Sequence, residues 1–216
     1  MVIGILIIVS YLVGAIPFGL LIAKAHGIDI RTVGSGNIGA TNVSRALGKK
    51  WAYLCFALDL LKGLIPMLAA MFILPRELTT AKIGLWLAVG ATAILGHVFP
   101  VYLKFKGGKG VATSLGVVLG LWPFYTIVGL ITFMIWVIVV KIWHYISLGS
   151  ILGAVVFPLL LTAAICIIPE WRFAVLWPLL IAAVALGAIL LIRHRDNIKR
   201  LLAGTENRIG KNTQIR

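Results

Sequence analysis

The sequence predicts an all-α polytopic membrane protein, a compact bundle of about seven transmembrane helices, some of them short or re-entrant. Of the 216 residues, 61% are hydrophobic and only 12% are charged, whereas a soluble domain carries roughly a quarter charged residues. Several apolar runs approach or exceed the ~20 residues needed to cross ~30 Å of hydrocarbon. These runs leave no room for a soluble domain, so residues 1–216 are expected to form a single integral-membrane domain.

Seven apolar segments are the candidate spans. They are Val2–Ala23, Trp51–Leu74, Ile83–Leu103, Val111–Leu121, Phe124–Ile142, Leu148–Ile168 and Phe173–Ile192. The fourth is short, because a helix of this length at 1.5 Å per residue reaches only ~16 Å. Yet Val111–Ile142 is too long for one span, and Trp122-Pro123 interrupts it. This stretch is either two short helices or a re-entrant helix followed by a full span, and five or six spans is the alternative to seven segments.

Basic residues set the predicted orientation. Lys24–Lys50, Lys104–Gly110, Lys141–Ser147 and Arg193–Arg216 hold 5, 3, 1 and 7 Lys or Arg, against three on the opposite side. Cytoplasmic loops carry the excess of basic residues, so the N-terminus is expected outside and the C-terminus in the cytoplasm. The first segment has no basic residue before Lys24 and no small-residue cleavage site, which is typical of an uncleaved span.

The charge excess also bears on partners. Twenty Lys and Arg against six Asp and Glu give a formal net charge of +14, which in a soluble protein would favour nucleic-acid binding. Here the basic residues lie at membrane edges, where they follow the positive-inside rule and some can meet an anionic substrate. No nucleic-acid partner is therefore expected, and the membrane lipid is the surrounding partner.

The polar segment Val33–Arg45 is the first candidate ligand site. Its glycines satisfy GxGxxG, but no strand precedes them, so a dinucleotide-binding fold fails on context. A flexible backbone that can approach a ligand closely remains, together with one arginine and several hydroxyl and amide groups. That inventory suits a phosphorylated polyol, and a plain glycine-rich turn is the alternative. The polar side chains are Ser35, Asn37, Thr41 and Asn42.

A second candidate is the glycine loop Gly107–Gly110, which directly precedes an apolar helix. Backbone N–H groups of such a loop and of the helix N-terminus form an anion site. It is not a Walker A loop, because Lys109 is followed by Gly110 rather than Ser or Thr. ATP hydrolysis therefore has no support, and a basic interfacial turn is the alternative to a phosphate site.

The third candidate lies after the last span. His194 and Asn197 are three residues apart and share a face if the helix continues. His194 could accept a proton or hydrogen-bond a phosphate, although a lone histidine at a membrane edge is more often only interfacial. Within the second span, Asp59 and Lys62 are also three apart and are expected to form a structural pair.

Three strings resemble one family. GSGNIGATNVSR, GHVFPVYLKFKGGKGVATS and HRDNIKRLLAGTEN are similar, in order and spacing, to the signature segments of the bacterial acyl-phosphate:glycerol-3-phosphate acyltransferases, the PlsY family. The resemblance covers nearly the whole chain. It implies transfer of a fatty acyl group from acyl phosphate to the 1-hydroxyl of sn-glycerol 3-phosphate, giving lysophosphatidic acid and phosphate. It further implies no cofactor, no metal, a monomer, and a multi-pass protein of a bacterial inner membrane with its active site facing the cytoplasm.

The resemblance also implies site residues. The catalytic set is Ser35, Arg45, Lys104, His194 and Asn197. The substrate-binding set is Gly36, Asn37, Thr41, Asn42, Gly107, Gly108, Lys109, Gly110, Ser147 and Glu206. The general base could be His194 or a substrate phosphate, and direct transfer is favoured over a covalent acyl-Ser35 intermediate because no base adjoins Ser35 in sequence.

Two other classes of function are alternatives to an enzyme. A transporter of an organic phosphate would use the basic loops as vestibules, but the chain shows no internal repeat and its polar residues cluster on one predicted face. A lipid-binding scaffold would use the basic C-terminal tail alone. The CDP-alcohol phosphotransferases are excluded, because their repeated aspartate motif needs more acidic residues than any cytoplasmic segment supplies.

Overall fold

The computed structural model of the protein describes residues 1–209, and within them the chain forms helices and no strand. The end of the Arg193–Arg216 connection, with Lys211 and Arg216, lies outside the described residues. The α-helices are α1 Val2–Gly14, α2 Phe18–Ala25, α3 Ala40–Leu47, α4 Lys49–Ile73, α5 Thr80–Val98, α6 Val111–Gly120, α7 Phe124–Trp143, α8 Ile146–Ile167, α9 Phe173–Arg193 and α10 Arg195–Leu202. Short 3₁₀ turns occupy Ile30–Thr32 and Val101–Leu103.

Six helical stretches of the described chain are long and apolar enough to cross a membrane. They are Val2–Ala25, Lys49–Ile73, Thr80–Leu103, Phe124–Trp143, Ile146–Ile167 and Phe173–Arg193. The doubtful fourth segment is a separate apolar helix of 10 residues, α6, which ends before Trp122-Pro123. The prediction of an all-helical membrane bundle with about seven apolar helices, one of them short, is confirmed.

The first span differs from the prediction, since it is two helices rather than one. α1 ends at Gly14 and α2 begins at Phe18. Pro17 explains the break, because proline has no N–H to donate and restricts the residue before it. At the break the Ile16 carbonyl accepts the Phe18 N–H at 3.1 Å and Lys62 Nζ of α4 at 2.8 Å, and the Val13 carbonyl accepts the Ile16 N–H at 3.1 Å. The carbonyls at this break are thereby satisfied inside the protein, as a membrane-spanning segment requires.

The chain divides into two compact units. The first comprises Met1–Glu77 and Gly84–Leu121, and the second comprises Leu78–Ile83 and the chain from Trp122 onward. In the first unit, a Cβ on Gly63 of α4 would collide with the Thr113 carbonyl of α6, and one on Gly116 with the Leu60 carbonyl. The backbones of α4 and α6 therefore approach closely, the arrangement that small residues allow between membrane helices.

The second unit is built on α7, α8 and α9. Buried Tyr125 of α7 donates a 2.6 Å hydrogen bond to the Leu179 carbonyl of α9, and its ring packs edge-on against Phe157 of α8. After α10 the chain turns back along the start of α8. There the Ile209 N–H donates to the His144 carbonyl at 2.8 Å. This return brings the last motif next to the N-terminus of α8.

Candidate active site

Asn42 holds the first polar segment in shape. It is buried on α3, and its amide nitrogen donates to the carbonyls of Ile30 at 3.1 Å and Val33 at 2.9 Å. Its amide oxygen accepts the Ser35 N–H at 3.0 Å. Because one side chain satisfies three backbone groups of the preceding loop, Asn42 fixes the path of the chain from residue 30 to residue 35.

The glycines of this segment are required by conformation. Gly34 and Gly36 have φ of +58° and +66°, a region that side chains with a Cβ rarely adopt. The Asn37 side chain accepts the Gly39 N–H at 2.9 Å, which turns the chain into α3. A plain glycine-rich turn is the alternative for this segment. In the structure, the side chains of Asn42 and Asn37 hydrogen-bond to the backbone of the loop.

The side chains of this segment that can contact a ligand lie beside the loop that Asn42 holds. Ser35 and Thr41 are exposed, and Arg45 is partly buried on the same helix as Asn42, three residues on. A Cβ on Gly34 would lie 3.5 Å from the Arg45 Cδ. Thus the guanidinium side chain runs along the glycine loop. A planar cation next to an exposed hydroxyl and a flexible backbone suits a phosphate ester.

The second segment forms a tight turn that ends in the glycine loop Gly107–Gly110. Lys104 is exposed and, like Phe105, has positive φ. The loop is anchored to α5 because the Gly107 and Gly108 N–H groups donate to the Val98 and His97 carbonyls at 3.2 and 3.1 Å. Half-buried Lys109 and left-handed Gly110 then lead directly into α6.

The first turn of α6 gathers hydrogen-bonding groups. The N-cap residue Gly110 has no side chain to cap the helix, and the first N–H groups of a helix have no partner within it. Thr113 and Ser114 are buried there, and their hydroxyls have no hydrogen-bond partner among the described residues. Backbone N–H groups and two hydroxyls at a helix N-terminus can hold an anion such as a phosphate.

In the second unit, Glu206 is a hydrogen-bonding centre. Its Oε1 accepts the Asn197 amide nitrogen at 2.7 Å and the Ser147 hydroxyl at 2.9 Å. Its Oε2 accepts Arg200 Nε at 2.7 Å, an ion pair. Burial alone would raise the pKa of Glu206, but the hydrogen bonds from Asn197, Arg200 and Ser147 outweigh it and hold that pKa below its usual value.

These bonds fix the orientation of Asn197. A carboxylate can only accept, so the amide nitrogen of Asn197 must face Glu206, and its amide oxygen points away from that carboxylate. Asn197 lies in the first turn of α10, which buries it. The orientation of this amide therefore depends on the residues that hold Glu206 in place.

His194 sits at the junction of α9 and α10 and is buried. Its Nδ1 lies 2.8 Å from the Leu190 carbonyl. A carbonyl can only accept, so Nδ1 carries the proton, and in the neutral ring Nε2 is then the unprotonated nitrogen. That tautomer is the one a proton acceptor needs.

The structure groups the predicted residues into two sets. The first unit holds Ser35, Gly36, Asn37, Thr41, Asn42, Arg45, Lys104, Gly107, Gly108, Lys109 and Gly110, and the second holds Ser147, His194, Asn197 and Glu206. The expected structural pair is confirmed, because Lys62 Nζ lies 2.7 Å from Asp59 Oδ1. Sequence reasoning gave no role to Arg200 or His97. Gly204, which allows a turn between Arg200 and Glu206, is the signal that could have linked those two residues.

Comparison with known proteins identifies the family. A family model described as glycerol-3-phosphate acyltransferase matches residues 4–204. This chain belongs to the glycerol-3-phosphate acyltransferase family. A glycerol-3-phosphate acyltransferase of Geobacter sulfurreducens is 47% identical over 206 residues, covering 94% of this chain and 96% of its own length. One from Aquifex aeolicus is 44% identical over 207 residues, covering 94% and 97%.

Two solved structures carry the same fold. Both are crystal structures of PlsY (YgiH), an integral membrane glycerol 3-phosphate acyltransferase. Its glycerol 3-phosphate form has a TM-score of 0.83 at 43% identity, covering 97% of this chain and 96% of that chain. Its lysophosphatidic acid form has a TM-score of 0.80 at 42% identity, with the same coverage. The acyltransferase family and the helical membrane fold were both predicted from the sequence and are confirmed.

Proposed function

We propose that this protein transfers a fatty acyl group from acyl phosphate to the 1-hydroxyl of sn-glycerol 3-phosphate, giving lysophosphatidic acid and inorganic phosphate. The observation that carries the proposal is the match of nearly the whole chain to one protein whose structures are described in glycerol 3-phosphate and lysophosphatidic acid forms. Those two compounds are the acceptor and the product of this reaction. Acylation of glycerol 3-phosphate is a step of phospholipid synthesis.

Two features support acyl phosphate as the donor. The first unit contains two separate features suited to phosphate, the cation Arg45 beside a glycine-rich loop and the Gly107–Gly110 loop at a helix N-terminus. None of the four histidines has an aspartate five positions on, so the HxxxxD dyad of the other glycerol-phosphate acyltransferases is missing. An enzyme whose donor is already activated mainly has to align two anions and neutralise their charge.

We assign Arg45, Lys104 and Ser35 to the phosphate of the acceptor. The Arg45 side chain lies beside the loop that Asn42 holds in place. Lys104 and Ser35 are exposed. We assign the Gly107–Gly110 loop, with the first turn of α6, to the phosphate of the donor. The Gly107 and Gly108 N–H groups anchor the loop to α5, so the directional bonds to the donor phosphate would come from the N–H groups at the start of α6, and Lys109 adds positive charge.

The reaction needs one bond to form and one to break. The acceptor hydroxyl oxygen attacks the acyl carbonyl carbon, and the bond between that carbon and the donor phosphate oxygen breaks, releasing phosphate. The hydroxyl proton goes to His194 Nε2 or to the leaving phosphate. The Nδ1–Leu190 hydrogen bond supports His194 as acceptor, because it leaves the lone pair on Nε2.

Three residues first expected to bind substrate have another role in this proposal. Asn42 uses both atoms of its amide on the loop backbone. Glu206 and Ser147 bond to each other, and Glu206 also holds Asn197. We therefore propose that Asn42, Ser147 and Glu206 position the substrate-facing groups rather than contact substrate, and their direct contact with substrate stays an untested prediction.

We further propose a monomeric protein of a bacterial inner membrane that forms one functional domain, with its N-terminus outside and its active site facing the cytoplasm. The excess of basic residues in the first, third and last connections supports this orientation. A water-soluble acceptor would then arrive from the cytoplasm, while the acyl chain of the donor remains in the bilayer.

An acyl-transfer assay tests the proposal. The protein, purified in mild detergent without metal, is given glycerol 3-phosphate with either palmitoyl phosphate or palmitoyl-CoA. We expect phosphate and lysophosphatidic acid from palmitoyl phosphate alone. Product from palmitoyl-CoA alone would overturn the donor assignment. If neither donor gives product while labelled glycerol 3-phosphate enters sealed proteoliposomes, the protein is a transporter instead.

A further inference from the structure

A buried cluster of charged and titratable side chains in the first unit has no part in the reaction described above. Asp59 and Lys62 of α4 are each 3% exposed and His97 of α5 is 5% exposed. Lys62 Nζ lies 2.7 Å from Asp59 Oδ1. His97 Nδ1 faces the same oxygen at 3.6 Å. Lys62 and His97 thus both face one carboxylate oxygen of Asp59, within the membrane-spanning part of the unit.

Such a cluster is costly to bury, which points to a role beyond stability. Taking two charges out of water carries a large desolvation cost, and replacing a buried ion pair by apolar residues is often neutral or stabilising. Intramembrane charges accordingly tend to mark function. Here both partners have further contacts, since Lys62 also donates to the Ile16 carbonyl and Asp59 Oδ2 accepts the Cys55 thiol at 3.7 Å.

The imidazole of His97 connects this cluster to the glycine loop. While its Nδ1 faces Asp59, its Nε2 lies against Gly108, because a Cβ there would collide with Nε2 and lie 2.9 Å from Cε1 and 3.1 Å from Cδ2. The backbone is tied at the same place, since the Gly108 N–H donates to the His97 carbonyl at 3.1 Å. The ring therefore fills the space between the buried carboxylate and the middle of the loop.

We propose that Asp59, Lys62 and His97 are positioning residues for the donor-phosphate loop. Asp59, held by Lys62, fixes the ring of His97, and that ring sets the path of the backbone from Gly107 to Gly110. The placement of Lys109 and of the first N–H groups of α6 then depends on a side-chain network behind the loop. The identity of the bound group, the phosphate of the acyl donor, rests on the proposed function, whereas the contact between the ring and the loop does not.

Kinetics of the full-length enzyme test the positioning role. We expect Asp59→Asn and His97→Asn to raise the KM for palmitoyl phosphate about tenfold or more, while the KM for glycerol 3-phosphate changes less than about twofold. The matched control is Asp29→Asn, which removes a carboxylate of the same unit that is ion-paired to Arg31 but exposed. It should leave both constants unchanged. Unchanged constants in the Asp59 and His97 variants, or equal rises for both substrates, would overturn the proposal.

A double-mutant cycle tests the contact itself and uses the melting temperature as well as activity. Gly108→Ala should be damaging because its Cβ meets the His97 ring, and the added loss should shrink in a His97→Ala background. Gly107→Ala is the control, because its Cβ would meet the His97 and Val98 carbonyls and the Pro100 ring. Removing the imidazole cannot relieve that clash. Additive losses for Gly108→Ala and His97→Ala would refute the coupling.

Different results would refute the proposed acyl donor and the positioning role of Asp59 and His97. If the wild-type enzyme does not transfer from palmitoyl phosphate, the proposed donor is wrong, and the melting-temperature cycle still decides whether His97 shapes the loop. If the wild-type enzyme transfers normally but the donor KM is insensitive to Asp59→Asn and His97→Asn, the reaction stands and the positioning role is refuted.

Discussion

Replacing Glu206 with glutamine removes a negative charge that three donors share. The donors are the Ser147 hydroxyl, the Asn197 amide and Arg200 Nε, at 2.9, 2.7 and 2.7 Å. A glutamine side chain has one accepting oxygen, and its amide nitrogen must face a donor. The side chain of Arg200 is 35% exposed whereas that of Glu206 is 4% exposed. The new amide is therefore expected to turn towards Arg200, which can bond to water instead.

The expected cost is one charge-assisted hydrogen bond, about 1.5–3 kcal/mol. For a protein of this size, a loss of about 2 kcal/mol lowers the melting temperature by roughly 4–8 °C. The assay is thermal unfolding in detergent, together with acyl transfer. Because the Ser147 and Asn197 bonds can still form to the remaining oxygen, kcat should fall less than in Asn197→Ala. The control is Glu170→Gln, which changes the same charge at an exposed site of the same unit.

The loss of stability in Glu206→Gln is expected to depend on pH. The pKa of Glu206 is depressed in the folded protein below its ordinary value of 4.5. A carboxyl whose pKa is lower in the folded protein stabilises the fold at pH values above its pKa in the unfolded chain. That stabilisation is lost as the pH falls through its pKa in the folded protein. The stability difference between the wild type and Glu206→Gln should therefore be complete above about pH 4.5 and shrink below it. A melting temperature and activity equal to the wild type at neutral pH would refute the reasoning.

Three further substitutions test the site. Arg45→Lys, which loses the planar fork, should raise the KM for glycerol 3-phosphate about 10–100-fold with kcat less affected, measured by steady-state kinetics. His194→Asn should lower kcat about 100-fold and remove the acid limb of its pH profile; a retained acid limb would assign the proton to the leaving phosphate. Gly34→Ala should lower the melting temperature more than Gly27→Ala, because both have positive φ but only at Gly34 does a Cβ meet Asn42, 2.5 Å from its Oδ1.

The membrane fold was predictable because its signal is carried by length and apolar composition. Helices α4, α7, α8 and α9 lie within a few residues of the predicted spans. The break in the first span was missed, although Pro17 was visible in the sequence. Proline is common in membrane helices and often leaves them continuous, as Pro66 does in α4. Whether a proline breaks a helix depends on the packing around it and on partners for the carbonyls nearby; at Pro17 these are the Ile16 N–H for Val13 and the Phe18 N–H and Lys62 for Ile16.

The candidate site was predictable in its residues and less so in their partners. The three polar segments were located because each combines glycine with basic residues and with hydroxyl or amide side chains over a short stretch beside apolar runs. Sequence spacing found the Asp59–Lys62 pair, since residues three apart share a helix face. It could not find the contact between His97 and Asp59 or that between Ser147 and Glu206, because those residues are brought together by helix packing across many intervening positions.

The environment of the site explains why residues that resemble substrate ligands are engaged within the protein. Polar groups that are buried need hydrogen-bond partners within the protein, and the buried parts of these loops are no exception. Asn42 satisfies two carbonyls and an N–H of the first loop, and Glu206 gathers three side-chain donors near the last motif. Composition alone cannot separate residues that hold a loop in place from residues that bind substrate, because amides, hydroxyls and carboxylates serve both purposes. An anionic substrate needs cations and N–H groups instead, which makes Arg45, Lys104 and the Gly107–Gly110 loop the stronger candidates for direct contact.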